Sequence, residues 1–146
     1  MLTDDHEIQQ ILLGAVRVAV VGASHKPQRP SHQTMAYLLQ QGYQVVPVNP
    51  AGGEILGQPV ARSLREIQRR VDIVDVFRNP GELQPTLVDE ALAVGAKLLW
   101  LQDGVIREDI ARLAIERGLL VVMDDCIKRR HAHLDYCEIP SRGDNR

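Results

Sequence analysis

A hydrophobic segment ends in a turn of small residues, Gly22-Ala23-Ser24, and two cations, Lys26 and Arg29, follow before the next predicted helix. The backbone N–H groups of such a turn, together with the positive end of the helix dipole, make a site for an anion such as a phosphate. The dinucleotide fingerprint carries three glycines here, whereas this chain keeps Gly22 and has Ser24 in place of the second. Because a serine hydroxyl can donate to a phosphate oxygen, the turn predicts a modified phosphate site, with a plain strand-to-helix turn as the alternative.

Three further predicted strands end in side chains that could complete such a site. Asn49-Pro50 follows the second strand, where nicotinamide dinucleotide sites usually carry an acid that accepts from the ribose hydroxyls. An amide and a proline ring fit the edge and face of an adenine instead, and a simple Asn-Pro turn is the alternative. Phe77-Arg78 ends the third strand; the arginine suits a phosphate, whereas the phenylalanine is equally well a core residue. Gln102 and Gly104 follow the fourth strand, where an amide can donate to and accept from an amide-bearing ligand and a glycine permits a turn.

The composition is that of an ordinary folded protein and argues against several functional classes. The 146 residues are 45% hydrophobic and 25% charged, which predicts one domain over residues 1–146, with its core at about 16–126 and a polar tail at 135–146. A net charge of −2 and 3% aromatic residues argue against a nucleic-acid partner. No apolar run approaches the roughly 20 residues that span a membrane. Two cysteines and an acidic N-terminus without the features of a signal peptide predict a cytoplasmic protein.

Strand and helix patterns alternate along the chain. Apolar, β-branched runs predict five strands, at residues 16–21, 43–48, 71–77, 97–101 and 119–123. Amphipathic segments predict helices that begin near Asp4 or Asp5 and lie at about 31–41, 63–68, 85–95 and 106–118. Strands that are apolar on both faces indicate a parallel sheet covered by helices on each side. We therefore expect a three-layer, doubly wound α/β fold with a five-stranded parallel sheet in the order 3-2-1-4-5, and an ill-defined polar segment from Asp124 onward.

Five segments occur in the order found in one known family, and together they extend over residues 16–126. They are Val20-Val21-Gly22-Ala23-Ser24, Pro47-Val48-Asn49-Pro50, Val74-Asp75-Val76-Phe77-Arg78, Leu99-Trp100-Leu101-Gln102-x-Gly104-Val105 and Val121-Val122-Met123-Asp124-x-Cys126. In this set the chain resembles the small stand-alone coenzyme A-binding proteins, which are similar to the nucleotide-binding domain of the succinyl-CoA synthetase α subunit. The resemblance implies a Rossmann-like fold with coenzyme A, or an acyl-CoA, lying across the strand ends.

The resemblance also implies a role for each matching position. The residues implied to hold phosphates are Gly22, Ala23, Ser24, Lys26 and Arg29. Those implied to border the adenosine moiety are Val48, Asn49 and Pro50, and those implied to flank the ligand further along are Phe77 and Arg78. Those implied to lie near the pantetheine arm are Gln102 and Gly104. Two carboxylates, Asp103 and Asp125, stand where the family commonly has other residues, and they should weaken binding of a polyanion unless they point away.

The favoured function is a binding or sensing module that holds coenzyme A or an acyl-CoA without catalysis, alone or with a protein partner. The synthetase relies on a phosphorylated histidine in a further domain that has no counterpart here, so we expect no ligase activity. One alternative is a small nucleotide-dependent oxidoreductase or transferase subunit, and another is a redox protein acting through Cys126 by a mixed disulfide with the coenzyme's thiol. A metal site is a weaker alternative, because the spacing of its candidate ligands is not a standard one; they are Asp124, Asp125, Cys126, His131 and His133.

Overall fold

The computed structural model describes residues 1–134, so the predicted polar tail at 135–146 lies outside the described residues. The strands are β1 (Arg17–Val21), β2 (Gln44–Val48), β3 (Glu54–Ile55), β4 (Gln58–Pro59), β5 (Ile73–Val76), β6 (Leu98–Leu101) and β7 (Leu120–Met123). The helices are α1 (Asp5–Gly14), α2 (Pro30–Gln40), α3 (Thr86–Ala93), α4 (Glu108–Glu116) and α5 (Ile127–Ala132), with 3₁₀ turns at Leu64–Glu66 and Pro80–Glu82. None of these helices is both long enough and apolar enough to cross a membrane.

Five strands form one parallel sheet, and the predicted doubly wound α/β fold is confirmed. Their order is β2-β1-β5-β6-β7, with β3 and β4 forming a separate antiparallel hairpin. Counting the sheet strands along the chain, this order is 2-1-3-4-5, so the predicted order 3-2-1-4-5 is wrong. The third sheet strand pairs with β1, where Val21 lies opposite Val76, and does not pair with β2.

Pro47 gives the physical reason why β2 lies at an edge. The Pro47 carbonyl accepts from the Ala61 N–H at 2.9 Å on the side of β2 away from β1. Since the nitrogen and carbonyl of one strand residue face the same side, the proline nitrogen also faces outward, and it has no hydrogen to donate to another strand. The segment after β4 covers this edge through an isolated bridge between Val48 and Ala61.

Helices cover both faces of the sheet, which makes the three predicted layers. One face packs Val74 and Leu99 against α3 and α4. The other packs Val20 and Trp100 against α1, α2 and α5. Every residue of β5 and β6 is buried, which explains why β6 is a continuous apolar run and β5 is apolar except at Asp75.

Helix α5 was not expected, because the chain after Asp124 was predicted to be ill-defined. The helix has only six residues and is rich in cations, so its sequence shows little helical periodicity. Tertiary contacts hold it: Ile127 is buried under the sheet, and the His131 Nδ1 atom lies 2.7 Å from the Tyr37 hydroxyl on α2.

Gly22, directly after β1, lies against the backbone of Phe77, directly after β5. Its φ is +84°, and a Cβ at this position would lie 3.1 Å from the backbone carbon and oxygen of Phe77. Gly14, at the end of α1, lacks both constraints, because its φ is not positive and a Cβ there would have nothing within 4 Å.

The Gly22→Ala variant should lower the free energy of unfolding by about 1–3 kcal/mol, because it combines left-handed backbone strain with a backbone contact that cannot easily move. Gly14→Ala is the matched control and should be neutral or stabilise the protein by up to about 1 kcal/mol. Urea denaturation followed by circular dichroism measures both. Equal effects at the two positions would contradict the close approach described here.

Asp75 is the one acidic residue inside the described part of the sheet. Its side chain is 0% exposed, and its neighbours in register are Val20 on β1 and Trp100 on β6. Burial raises the pKa of the Asp75 carboxyl well above its ordinary value, and a hydrogen bond from Gln102 lowers that pKa by a smaller amount. The folded protein therefore favours the neutral acid.

The raised pKa of Asp75 predicts a pH-dependent difference in stability between the wild type and Asp75→Asn. Above the unfolded-state pKa of about 3.9, folding of the wild type takes up a proton that the variant does not need. The stability of the variant relative to wild type should therefore rise with pH, by up to about 1.4 kcal/mol per pH unit, until the folded-state pKa is reached. Urea denaturation between pH 4 and pH 8 measures the difference, and a difference that stays constant would show that Asp75 is ionised in the fold.

Candidate functional site

A cleft with a volume of about 760 Å³ runs along the carboxyl ends of the strands. This volume lies within the range of about 300–1,000 Å³ that is usual for small-molecule sites. The chain leaves β1 toward β2 on one side and returns to β5 on the other, so the strand order reverses between β1 and β5. A doubly wound fold binds its ligands at this switch point, because the loops there diverge and leave a crevice.

The structure brings most of the predicted site residues together around this cleft. The predicted residues that line it are Gly22, Ala23, Ser24, Lys26, Arg29, Asn49, Phe77, Arg78, Gln102 and Gly104. The other two do not: the Val48 side chain is buried in the core, and Pro50 is exposed outside the cleft.

Several lining residues were not among those predicted to bind the ligand, although Cys126 was predicted for the alternative redox function. They are His25, Pro30, Ser31, Thr34, Asn79, Pro80, Asp103, Val105 and Cys126. Ser31 and Thr34 are buried polar residues three positions apart on α2. That spacing on an otherwise apolar helix face could have revealed them in the sequence.

The turn after β1 uses its own N–H groups within the fold. Gly22 and Ala23 both donate to the Val48 carbonyl, at 3.0 and 3.2 Å. The Ser24 N–H donates to the Ser31 hydroxyl oxygen at 3.1 Å, and the Ser24 hydroxyl oxygen accepts from the Lys26 N–H at 3.1 Å. These N–H groups bind acceptors within the protein and so stabilise the turn. The sequence-based expectation that they face an anion is therefore wrong.

The start of α2 supplies the donors that the turn lacks. Pro30 takes the first helical position and has no N–H, and no residue of the described chain accepts from the N–H groups of Ser31 and His32. Both groups carry the positive end of the dipole of an 11-residue helix. The His32 ring nitrogen Nδ1 lies 3.0 Å from the Ser24 carbonyl, which ties this helix start to the turn.

Three cations surround this end of the cleft. Lys26 and Arg29 are exposed and form no ion pair with any residue from 1 to 134. Arg78 has only a long contact of 3.9 Å with Glu82. A locally positive wall thus stands in a chain whose net charge is −2, which is the electrostatic arrangement that attracts a polyanion.

Asn49 connects the end of β2 to the turn. Its Nδ2 donates to the Ala23 carbonyl at 2.7 Å, and its Oδ1 accepts from the Ala51 N–H at 2.8 Å. Both ends of the amide are therefore engaged, and this geometry favours the turn interpretation of Asn49 over a contact with the edge of an adenine.

The residues that line the cleft after β6 and β7 are Gln102, Asp103, Gly104 and Cys126, and the second unexpected carboxylate, Asp125, precedes Cys126 in the chain. Asp103 accepts from Arg129 with both oxygens, each at 3.0 Å. Partial burial opposes ionisation of Asp125, but hydrogen bonds from Arg130, the Cys126 N–H and Arg129 outweigh it and lower the pKa of this carboxyl.

The arginines of α5 thus neutralise both acids. Arg130 also binds Asp5, which joins α5 to α1. The expected repulsion of a polyanion by Asp103 and Asp125 is therefore reduced. The sequence analysis could not foresee this, because it did not predict α5.

The weaker alternative of a metal site finds no support in the geometry. Within residues 1–134, no group of three or more His, Cys, Asp or Glu side chains is arranged to hold a metal ion. Asp124 accepts from the Gly104 N–H at 2.8 Å, and Asp125 is bound to arginines.

Comparisons with other proteins agree with this geometry. The chain is 41% identical over 126 residues to the uncharacterized protein YneT of Bacillus subtilis (strain 168), covering 86% of this chain and 93% of that protein. It is 34% identical over 96 residues to the alpha subunit of acetate–CoA ligase [ADP-forming] I of Pyrococcus furiosus, covering 62% of this chain and 21% of that subunit. A solved structure from Thermus thermophilus, cell-free ID.343, superposes with a TM-score of 0.86 at 38% identity, covering 91% of this chain and 100% of that one.

A family model described as a CoA binding domain matches residues 16–132, which include every strand and every residue that lines the cleft. The match extends beyond the residues that carried the sequence resemblance, because it also includes α5. This agreement confirms the resemblance drawn from the five sequence segments. The chain belongs to the CoA-binding domain family.

Proposed function

We propose that this protein binds coenzyme A or an acyl-CoA in the cleft and does not turn it over. The observation that carries the proposal is one cleft that is lined both by the cations Lys26, Arg29 and Arg78 and by a second group of residues, Gln102, Gly104 and the ion-paired Asp103. Coenzyme A has the same division, because its phosphates are at the nucleotide end and its pantetheine arm is uncharged. Membership of the CoA-binding domain family supports the same ligand.

The start of α2 and its neighbouring cations are the proposed phosphate site. The free N–H groups of Ser31 and His32, with Lys26 and Arg29 beside them, can hold a diphosphate by charge-assisted hydrogen bonds. Arg78, which follows β5, is a candidate for the 3′-phosphate together with Lys26 and Arg29.

The arrangement of the nucleophiles and bases in the cleft favours binding over catalysis. The hydroxyls of Ser24 and Ser31 accept from backbone N–H groups. The rings of His25 and His32 bind the carbonyls of Gly52 and Ser24, each at 3.0 Å. A hydroxyl nucleophile with an adjacent histidine base is therefore not found in the described cleft.

Calorimetric titration at low salt tests the ligand. Coenzyme A should bind saturably at one site, dephospho-coenzyme A should bind more weakly because it lacks the 3′-phosphate, and nicotinamide adenine dinucleotide should not saturate. Lys26→Ala and Arg29→Ala should each weaken coenzyme A binding about three- to tenfold, since each removes an exposed charged contact.

Lys97→Ala is the matched control for these variants, because Lys97 is an exposed lysine at the amino end of β6, whereas the cleft lies at the carboxyl ends of the strands, and this variant should leave affinity unchanged. If the control weakens binding as much as Lys26→Ala, the effect is one of general charge. If the wild type binds none of the three ligands, the proposed function is wrong.

Cys126 supports a second function, because it is partly exposed and lines the cleft beside Gln102. Its thiolate could attack the disulfide of oxidised coenzyme A, forming a mixed disulfide and releasing one coenzyme A thiol. Intact-mass spectrometry after incubation with that disulfide should show one added coenzyme A. The adduct should vanish in Cys126→Ser and persist in Cys137→Ser, and its absence from the wild type would exclude this redox function.

A further inference from the structure

The pair formed by Asp75 and Gln102 is unusual, because it places a buried acid directly behind the wall of the cleft. Asp75 is 0% exposed in β5, and Gln102 is 3% exposed and lines the cleft after β6. The Gln102 Nε2 atom donates to Asp75 Oδ1. The other carboxyl oxygen, Oδ2, has no hydrogen-bond partner among the described residues.

The pair of Asp75 and Gln102 lowers the stability of the fold relative to an apolar residue at position 75. A buried polar atom without a partner costs about 1–3 kcal/mol, and an apolar residue of similar shape would avoid that cost. The positions in register with Asp75 on both neighbouring strands are apolar, so the surroundings would accept one. The packing of the sheet therefore does not explain the acid.

The contacts of Gln102 show what Asp75 determines. The Gln102 backbone is held at both ends, since its N–H donates to the Val76 carbonyl at 3.2 Å and its carbonyl accepts from the Val105 N–H at 2.8 Å. With the backbone fixed, the orientation of the side-chain amide depends on the hydrogen bond to Asp75. Nε2 gives one of its hydrogens to Asp75, and no donor to the amide oxygen Oε1 is found among the described residues, so Oε1 is the acceptor that Gln102 keeps for a ligand.

We propose that Asp75 is a positioning residue that holds Gln102 so that its amide oxygen accepts a hydrogen bond from an N–H donor of the ligand's uncharged arm. The cations stand at the ends of β1 and β5, and Gln102 follows β6, which is two strands from β1 and so about 10 Å away. A ligand with its phosphates at Lys26 and Arg29 thus reaches Gln102 with its arm. The two amide N–H groups of pantetheine are donors of the required kind.

Burial of the acid supports this role. Burial raises the pKa of the Asp75 carboxyl, which opposes the formation of a negative charge behind a site for a polyanion. The inference rests on the proposed function, and its test compares coenzyme A with 3′-phospho-ADP, which keeps all the phosphates but lacks the pantetheine arm.

The test measures the affinity of both ligands for the wild type, Asp75→Val, Gln102→Leu and the double variant. Asp75→Val should weaken coenzyme A binding about three- to tenfold, as expected for the loss of one neutral hydrogen bond, and should change 3′-phospho-ADP binding less than twofold. Gln102→Leu should have the same effect. The double variant should bind no more weakly than Gln102→Leu alone, because Asp75 acts through that amide.

Asp75→Asn is the conservative control, because it keeps an acceptor for Gln102 and should retain coenzyme A affinity within about twofold. Asp75→Ala replaces Asp75→Val if the valine variant does not fold, which thermal melting checks. A purely structural role for Asp75 would weaken both ligands alike or add to the effect of Gln102→Leu, and either result overturns the inference.

The affinities of the wild type for the two ligands show whether only this inference is wrong or the proposed function is wrong as well. If it binds coenzyme A and 3′-phospho-ADP equally well, the arm is not recognised, so the inference is wrong while coenzyme A binding stands. If it binds neither ligand, both proposals are wrong.

Discussion

The close approach of the ends of β1 and β5 is the constraint on which the site depends. Gly22 allows it, because any side chain there would meet the Phe77 backbone. With the two strand ends in contact, the loops after β1 and β5 diverge and open the cleft between them. The same approach places Arg78 against the turn and opposite the start of α2, so one backbone contact brings the cations of separate loops to a single surface.

The cations and the carboxylates around the cleft differ in whether they have partners of opposite charge among the described residues. Lys26 and Arg29 lie in a loop without acidic partners among the described residues, so their charge is available to a ligand. Asp103 and Asp125 are instead bound by the arginines of α5, which also reaches α1 through Asp5. The short helix α5 therefore reduces the negative charge beside the cleft, although none of its own residues lines the cleft.

Asp75 shows a conflict between the stability of the sheet and the requirements of a site. Its position in a buried parallel strand favours a β-branched apolar residue, and its second oxygen has no partner among the described residues. A strand that keeps such a residue gives up some stability, as functional sites commonly do. Gln102 is the connection between the two, since one end of its amide contacts the acid and its side chain borders the cleft.

The sequence alone was enough to predict the alternation of strands and helices, the parallel sheet and most of the residues that line the cleft. These features follow from local patterns, namely apolar runs, glycine turns and the rule that parallel strands end at one edge. It did not determine the strand order, the engagement of Asn49 and the turn N–H groups, or α5. These features depend on partners far apart in the chain. The third sheet strand, β5, pairs with β1 because Pro47 leaves β2 at an edge, and α5 is held by Tyr37 and Asp5. Only the tertiary structure brings such partners together, and only it decides which polar groups remain free for a ligand.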